Sequence, residues 1–266
     1  MAAAYGKLTG KPGICFVTRG PGATNASIGV HVAKQDSVPM ILFVGQVSVN
    51  SIQREAFQEI DIPAMFKPLA KWAIQIDDAE RLPELLSRAI KIATSGKPGP
   101  VVISIPEDMQ NQLANAPAVV PNVPIVSSPS PDQIDRLGVL IGQAEQPVMV
   151  LGASTWTSEA CDQIADFAKR HDIPVVAGFR CQDKINNDHP NYVGTIGAGT
   201  PPYITDLING SDLLICLSLE LSEIVTQGFT QFTYPKMQQT LVHIHPGEEE
   251  LGRIYQPNLA IQSGTA

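Results

Sequence analysis

The residues best placed to do chemistry lie in Val17-Thr18-Arg19-Gly20-Pro21-Gly22-Ala23-Thr24-Asn25, directly after a short apolar run and at the start of a helical pattern. Glycines let a ligand approach the backbone, and a helix start leaves N–H groups without intrahelical acceptors, so the segment suits a polar ligand. An ordinary tight strand-to-helix turn uses Gly-Pro-Gly equally well. The segment is not a P-loop, because no Lys-Ser/Thr follows the second glycine, and it does not fit G-x-G-x-x-G. His243 and His245 stand two apart on a predicted strand and so share a face, but no third ligand accompanies them and no metal is expected. Glu248, Glu249 and Glu250 follow Pro246-Gly247 at a predicted helix start, where negative charge complements the dipole. Asp77-Asp78 with Glu80 mark the start of a helix at Leu82 in the same way. His31, His171 and His189 have no Ser or Cys nucleophile in a recognisable turn, so no hydrolase triad is indicated. Cys15, Cys161, Cys181 and Cys216 include no C-x-x-C pair, which argues against zinc and against a disulfide framework.

The elements that must position these residues follow from periodicity. Apolar, β-branched runs at 14–18, 40–44, 101–105, 148–151, 175–177, 213–217 and 241–244 are too short for helices and do not alternate. Such runs suit strands buried on both faces of a parallel sheet. Between them, Leu82, Leu85, Leu86, Ala89, Ile90 and Ala93, and again Ile164, Phe167 and Ala168, keep helical spacing. The class is therefore α/β, in two domains with mainly parallel sheets flanked by helices. Periodicity fails from about residue 107, and Pro117, Pro121, Pro124 and Pro129 stiffen the stretch beyond it. We read 1–110 as one domain, 111–130 as a proline-rich linker and 131–266 as a second domain.

The chain has 266 residues, 18 Lys and Arg against 26 Asp and Glu, a net charge of −8, and no basic cluster, so no surface for nucleic acid is expected. Its apolar runs fall far short of the roughly 20 residues a bilayer span requires. Met1 to Lys7 lack the pattern of an export signal, which makes the cytoplasm the default. The chain opens inside a helical pattern and closes just after Leu259-Ala260-Ile261-Gln262, and so reads as a fragment.

Several segments together carry a resemblance. Gly10-Lys11-Pro12-Gly13, the Gly20 to Asn25 turn, Asp36-Ser37-Val38-Pro39-Met40, Gly45-Gln46-Val47, Glu55-Ala56-Phe57-Gln58-Glu59 and Ala93 to Pro100 occur in the order seen in thiamine-diphosphate enzymes of the acetolactate synthase type. Residues from about 131 onward resemble that family's Rossmann-like central domain through Pro147 to Gly152, His189 to Gly194, Ser211 to Ile215 and Val242 to Pro246.

The resemblance implies a carboligase or decarboxylase that joins 2-keto acids with loss of CO₂, acetolactate synthesis for branched-chain amino acids being the nearest case. It implies thiamine diphosphate as cofactor, with Gly20, Pro21, Gly22 and Asn25 along the aminopyrimidine and Phe57 and Gln58 toward the substrate, Gln58 being the one catalytic candidate. The family's activating glutamate would precede residue 1, and its Mg²⁺-binding Gly-Asp-Gly segment would follow residue 266, so the chain alone is expected to be inactive. A homodimer or homotetramer is implied, without nucleic acid or membrane. Acetolactate synthases also hold FAD in the central domain. Here Gly152-Ala153-Ser154 replaces a glycine triplet, Ser218-Leu219-Glu220 stands where Gly-Ala-Arg is usual, and Lys97 occupies a frequent Arg position. Exchanging Arg for Glu reverses a charge and removes a phosphate-matching fork, which counts against FAD. Another thiamine-diphosphate decarboxylase or lyase branch, and a non-catalytic nucleotide-binding module, remain alternatives.

Overall fold

The computed structural model describes residues 1–115, 117, 125–154 and 156–265. Of the linker expected over 111–130, residues 116 and 118–124 lie outside the described ones. The chain divides into two compact units, Met1–Ile125 and Val126–Ala266.

The first unit runs α1 (Ala2–Thr9), β1 (Gly13–Val17), α2 (Gly20–Gln35), β2 (Met40–Gln46), α3 (Ile62–Phe66), β3 (Trp72–Gln75), α4 (Leu82–Thr94) and β4 (Pro100–Pro106). Its sheet has the order β1-β2-β4-β3, and every pairing is parallel. Central β2 and β4 are buried along almost their whole length, which is why their sequences are apolar but for Ser104 and the terminal Gln46. Met40, Leu42, Val44 and Val102 face α1, α2 and α3, while Ile41, Phe43, Val101 and Ile103 face α4. The α4 stripe of Leu82, Leu85, Leu86, Ala89, Ile90 and Ala93 is the face it packs on the sheet, as its spacing predicts. Asp78 accepts the Glu80 N–H at 3.0 Å and opens the 3₁₀ turn that leads into α4.

The second unit runs α5 (Pro131–Gln143), β5 (Pro147–Leu151), α6 (Ser158–His171), β6 (Val175–Ala177), β7 (Tyr192–Thr195), α7 (Pro202–Gly210), β8 (Leu213–Leu217), β9 (Thr240–His245) and β10 (Leu259–Gln262). Its six strands lie in the order β10-β9-β8-β5-β6-β7, all parallel, so β5 starts the sheet at its centre and the chain winds outward twice in opposite directions. This is the doubly wound order, with its switch point between β5 and β8. Helices α5 and α6 cover one face, through Leu137, Leu140, Ile164 and Phe167. On the other face α7 packs through Ile204 and Ile208, together with Leu219, Val225, Phe232 and Tyr255 from the loops. Ser130 and Gln133 close a full capping box at the start of α5.

One expected helix does not form. Glu248–Glu250 make a single 3₁₀ turn, because no apolar stripe follows them and Gly252, with φ +76°, and Pro257 break the chain soon after. Glu250 is buried and pairs with Arg253 at 3.0 Å, which braces that turn. Among the described residues no helix is long and apolar enough to cross a membrane.

Candidate functional site

The turn singled out by sequence sits at the C-terminal end of β1, where Arg19 takes the N-cap position and α2 starts at Gly20. Pro21 lies in the first turn, where its missing N–H costs nothing. Both glycines have packing reasons. A Cβ on Gly20 would stand 3.0 Å from the Gln58 carbonyl oxygen, and one on Gly22 would stand 3.0 Å from Thr18 Cγ2 and 3.1 Å from Val17 Cβ. The first glycine lets a loop close on the helix start; the second lets α2 rest on its own strand. Their bare sides thus face the protein, and what this turn presents outward is Pro21, Thr24 and Asn25, all exposed.

The loop that closes on it connects β2 to α3. Within it Gln53, Glu55 and Gln58 all have positive φ, of 65°, 54° and 63°. Side-chain-bearing residues resist that conformation, so the surroundings must hold it. Glu59 accepts the N–H groups of Gln53 at 2.6 Å and Ala56 at 3.1 Å. Gln46, buried at the end of β2, donates through Nε2 to the Ile60 carbonyl at 2.8 Å and accepts the Val47 N–H at 2.9 Å. The Gly20 N–H donates to the Gln58 carbonyl at 3.0 Å. Arg19 Nη1 donates to the Phe57 carbonyl at 3.3 Å, while Nη2 is ion-paired with Glu107. Asp108 accepts the Val49 N–H at 3.2 Å. The outcome is an unusual side chain: Phe57 is 78% exposed, beside a half-buried Gln58.

Of the residues expected at the site, the structure therefore brings Gly20 against Gln58 by a backbone bond and ties Phe57 to the residue before Gly20. Sequence reasoning quoted Arg19, Gln46 and Glu59 within its motifs without giving them a role, and did not single out Glu107 or Asp108. Gln46 carried a signal, being the one polar side chain in an otherwise apolar buried strand.

The second unit holds the other candidates. His243 and His245 do share a face of β9, with ring centroids 6.1 Å apart, and both are buried. His243 Nε2 meets the Leu219 carbonyl at 2.9 Å, and His245 Nδ1 accepts the Gly247 N–H at 3.0 Å, so both brace loops. Burial pushes the His243 pKa down to about 4 against the pull of the Leu219 carbonyl. Among the described residues no group of three or more His, Cys, Asp or Glu is placed to hold a metal.

Two cavities open at the C-terminal side of this sheet. One, of about 320 Å³, is lined by Leu137, Trp156, Ile164, Phe167, Leu217 and Ile244; the other, of about 440 Å³, by Gly197, Gly199, Thr200, Thr205, Asp206 and Gln227. Neither carries a Lys or Arg, and Asp206 adds the wrong sign for a diphosphate. Gly152 is also committed to packing: a Cβ there would lie 2.0 Å from the Ser218 carbonyl oxygen, and its own carbonyl accepts the Trp156 Nε1–H at 2.9 Å. The residues lining these two cavities offer no cation for an FAD diphosphate.

A doubly wound parallel unit, together with a second parallel unit whose Gly-Pro-Gly turn is closed by a loop bearing an exposed aromatic, defines an α/β protein of two parallel-sheet units. The chain belongs to the thiamine pyrophosphate enzyme family: the model of that family's central domain matches residues 134–266, and that of its N-terminal TPP binding domain matches residues 1–65. It is 31% identical over 264 residues to the acetolactate synthase large subunit of Corynebacterium glutamicum, covering 98% of this chain and 42% of that protein. It is 32% identical over 264 residues to a probable acetolactate synthase large subunit of Methanocaldococcus jannaschii, covering 97% and 44%. Against the chloroplastic acetolactate synthase 3 of Brassica napus it is 30% identical over 273 residues, covering 98% and 40%. The chain thus spans less than half the length of these curated relatives.

Proposed function

We propose that this chain supplies the pyrimidine-side and central units of a thiamine-diphosphate-dependent enzyme that joins 2-keto acids with loss of CO₂, in the manner of acetolactate synthase. The observation that carries the reading is the loop of residues 53–60, whose Phe57 and Gln58 are held at the start of α2 by the Gly20–Gln58 and Arg19–Phe57 bonds. Pro21 and Asn25 would run along the aminopyrimidine, with Gly20 and Gly22 shaping the turn behind them, Phe57 beside it and the Gln58 amide toward the substrate carboxylate or carbonyl. When bound, thiamine diphosphate supplies the nucleophilic carbon and the electron sink that decarboxylation of a 2-keto acid requires. The part played by this chain is positional: the Gln58 amide can donate to a substrate oxygen, and the Phe57 ring can exclude water from one side of it. A homodimer or homotetramer, and Mg²⁺ alongside the diphosphate, belong to the same proposal.

The test is to express the full reading frame that contains this chain, supply thiamine diphosphate and Mg²⁺, and follow pyruvate consumption, CO₂ release and acetolactate formation. Turnover on pyruvate, lost or reduced in Gln58→Ala, is the expected result. Cofactor binding without turnover on pyruvate or any of a panel of 2-keto acids would overturn the reading.

A further inference from the structure

We infer that Arg19 is a positioning residue, whose guanidinium spans from the Phe57 carbonyl to the Glu107 carboxylate and so sets where Phe57 and Gln58 stand beside the start of α2. The inference rests on the reading of Phe57 and Gln58 as substrate-side residues.

Sheet order brings the parts together. Strands β1, β2 and β4 are neighbours, so their C-terminal ends deliver Arg19, Gln46 and Glu107 to one edge although Arg19 and Glu107 are 88 residues apart in sequence. The loop leaves the sheet from the middle strand of these three. Glu107 is fixed there by its own N–H, which donates to the Gln46 carbonyl at 3.0 Å. The Arg19–Glu107 pair therefore straddles the stem of the loop like a strap. The loop has two halves held in different ways. Its outer half is braced from within by the Glu59 carboxylate, on Gln53 and Ala56. Its inner half presents the carbonyls of residues 57, 58 and 60, and each is taken by a different group: the Arg19 guanidinium, the Gly20 N–H and the Gln46 amide.

Of those three bonds one is backbone to backbone and one comes from a buried, uncharged side-chain amide on β2. Arg19 alone is charged and is anchored at its far end. A guanidinium serves two acceptors at fixed angles, whereas a lysine ammonium is a single point on a flexible stem. The Arg19 side chain is 24% exposed and that of Glu107 is 57% exposed, so the pair contributes little to global stability. What it supplies is geometry: without it, the three left-handed residues keep the Glu59 brace, the Glu59 N–H on the Ala56 carbonyl, the Gly20 bond and Gln46, none of which holds the Phe57 carbonyl.

The test compares Arg19→Ala, Arg19→Lys and Glu107→Gln with the parent by hydrogen exchange and thermal melting of this chain, and by steady-state kinetics of the full reading frame. Amide exchange in peptides covering residues 53–60 should rise about tenfold in Arg19→Ala and Glu107→Gln, while peptides from β2 and β4 and the melting temperature stay put. Arg19→Lys should restore the ion pair but not the slow exchange. In the full protein, KM for the 2-keto acid should rise about tenfold, while thiamine diphosphate affinity changes less than about twofold. Unchanged exchange in both Arg19→Ala and Glu107→Gln would overturn the inference, as would faster exchange with unchanged KM. Phe57→Ala and Gln58→Ala, measured alongside, separate the causes: if they too leave KM untouched, the site reading itself has failed.

Discussion

The buried His243 should make the stability of the second unit depend on pH by an amount that its surroundings set. The side chain is 1% exposed in β9, and its Nε2 faces the Leu219 carbonyl, so the ring is held as the neutral Nε2–H tautomer. Burial lowers its pKa from the ordinary 6.5 to about 4, the Leu219 carbonyl pulling the other way and His245 adding a little to the fall. In the unfolded chain the imidazole takes up a proton below pH 6.5, while in the folded unit it stays neutral until about pH 4. Stability from the neutral ring is therefore complete above pH 6.5 and drains away as pH falls toward 4. At 1.36 kcal/mol per pH unit, that interval corresponds to about 3 kcal/mol. The comparison is His243→Gln, whose amide can still donate to the Leu219 carbonyl but does not titrate. Urea unfolding at pH 7, 6, 5 and 4, followed by Trp156 fluorescence in a Trp72→Phe background, reports on the second unit alone. Between pH 7 and pH 4 the parent should lose about 3 kcal/mol more than His243→Gln. Titrating groups that do not interact with His243 are common to both proteins and cancel. Stability curves that run parallel within about 0.5 kcal/mol would refute the reasoning.

Gly152→Ala should prevent the second unit from folding, because the new methyl would meet backbone oxygen at 2.0 Å and neither segment can move away without breaking the β5–β8 ladder; soluble protein with an unchanged melting curve would count against this. Ser130→Ala removes one half of the α5 capping box, the hydroxyl that accepts the Gln133 N–H, and should lower the stability of the second unit by about 1 kcal/mol, read from the urea midpoint. Phe57→Ala should leave the stability of the first unit within about 0.5 kcal/mol, its ring being 78% exposed, yet impair use of the 2-keto acid by the full protein; a large loss of stability with normal kinetics would mark the ring as structural.

How much of the fold and the site was readable from sequence depended on whether the cause was local. Strands β2 and β4 are buried on both faces, so they wrote largely apolar runs, and α4 wrote its stripe for the same reason. Strands β3, β7 and β10 were not recognised as such, because each is four residues long and mixes polar with apolar positions. The turn at Gly20 was visible, but the reason for its glycines was not: the atoms that exclude a side chain at Gly20 belong to Gln58 and Ile60, 38 and 40 positions away. Arg19 and Glu107 were out of reach for a further reason. They meet only because the last strand of the first unit inserts between β2 and β3, and no spacing along the chain encodes that order. Gln46 is the exception that shows what a reader can look for. A polar side chain that ends an otherwise apolar buried strand must find partners among neighbouring backbone groups, because leaving it unsatisfied costs about 1–3 kcal/mol. Its presence therefore announces that the next loop is held from beneath, before the loop's path is known.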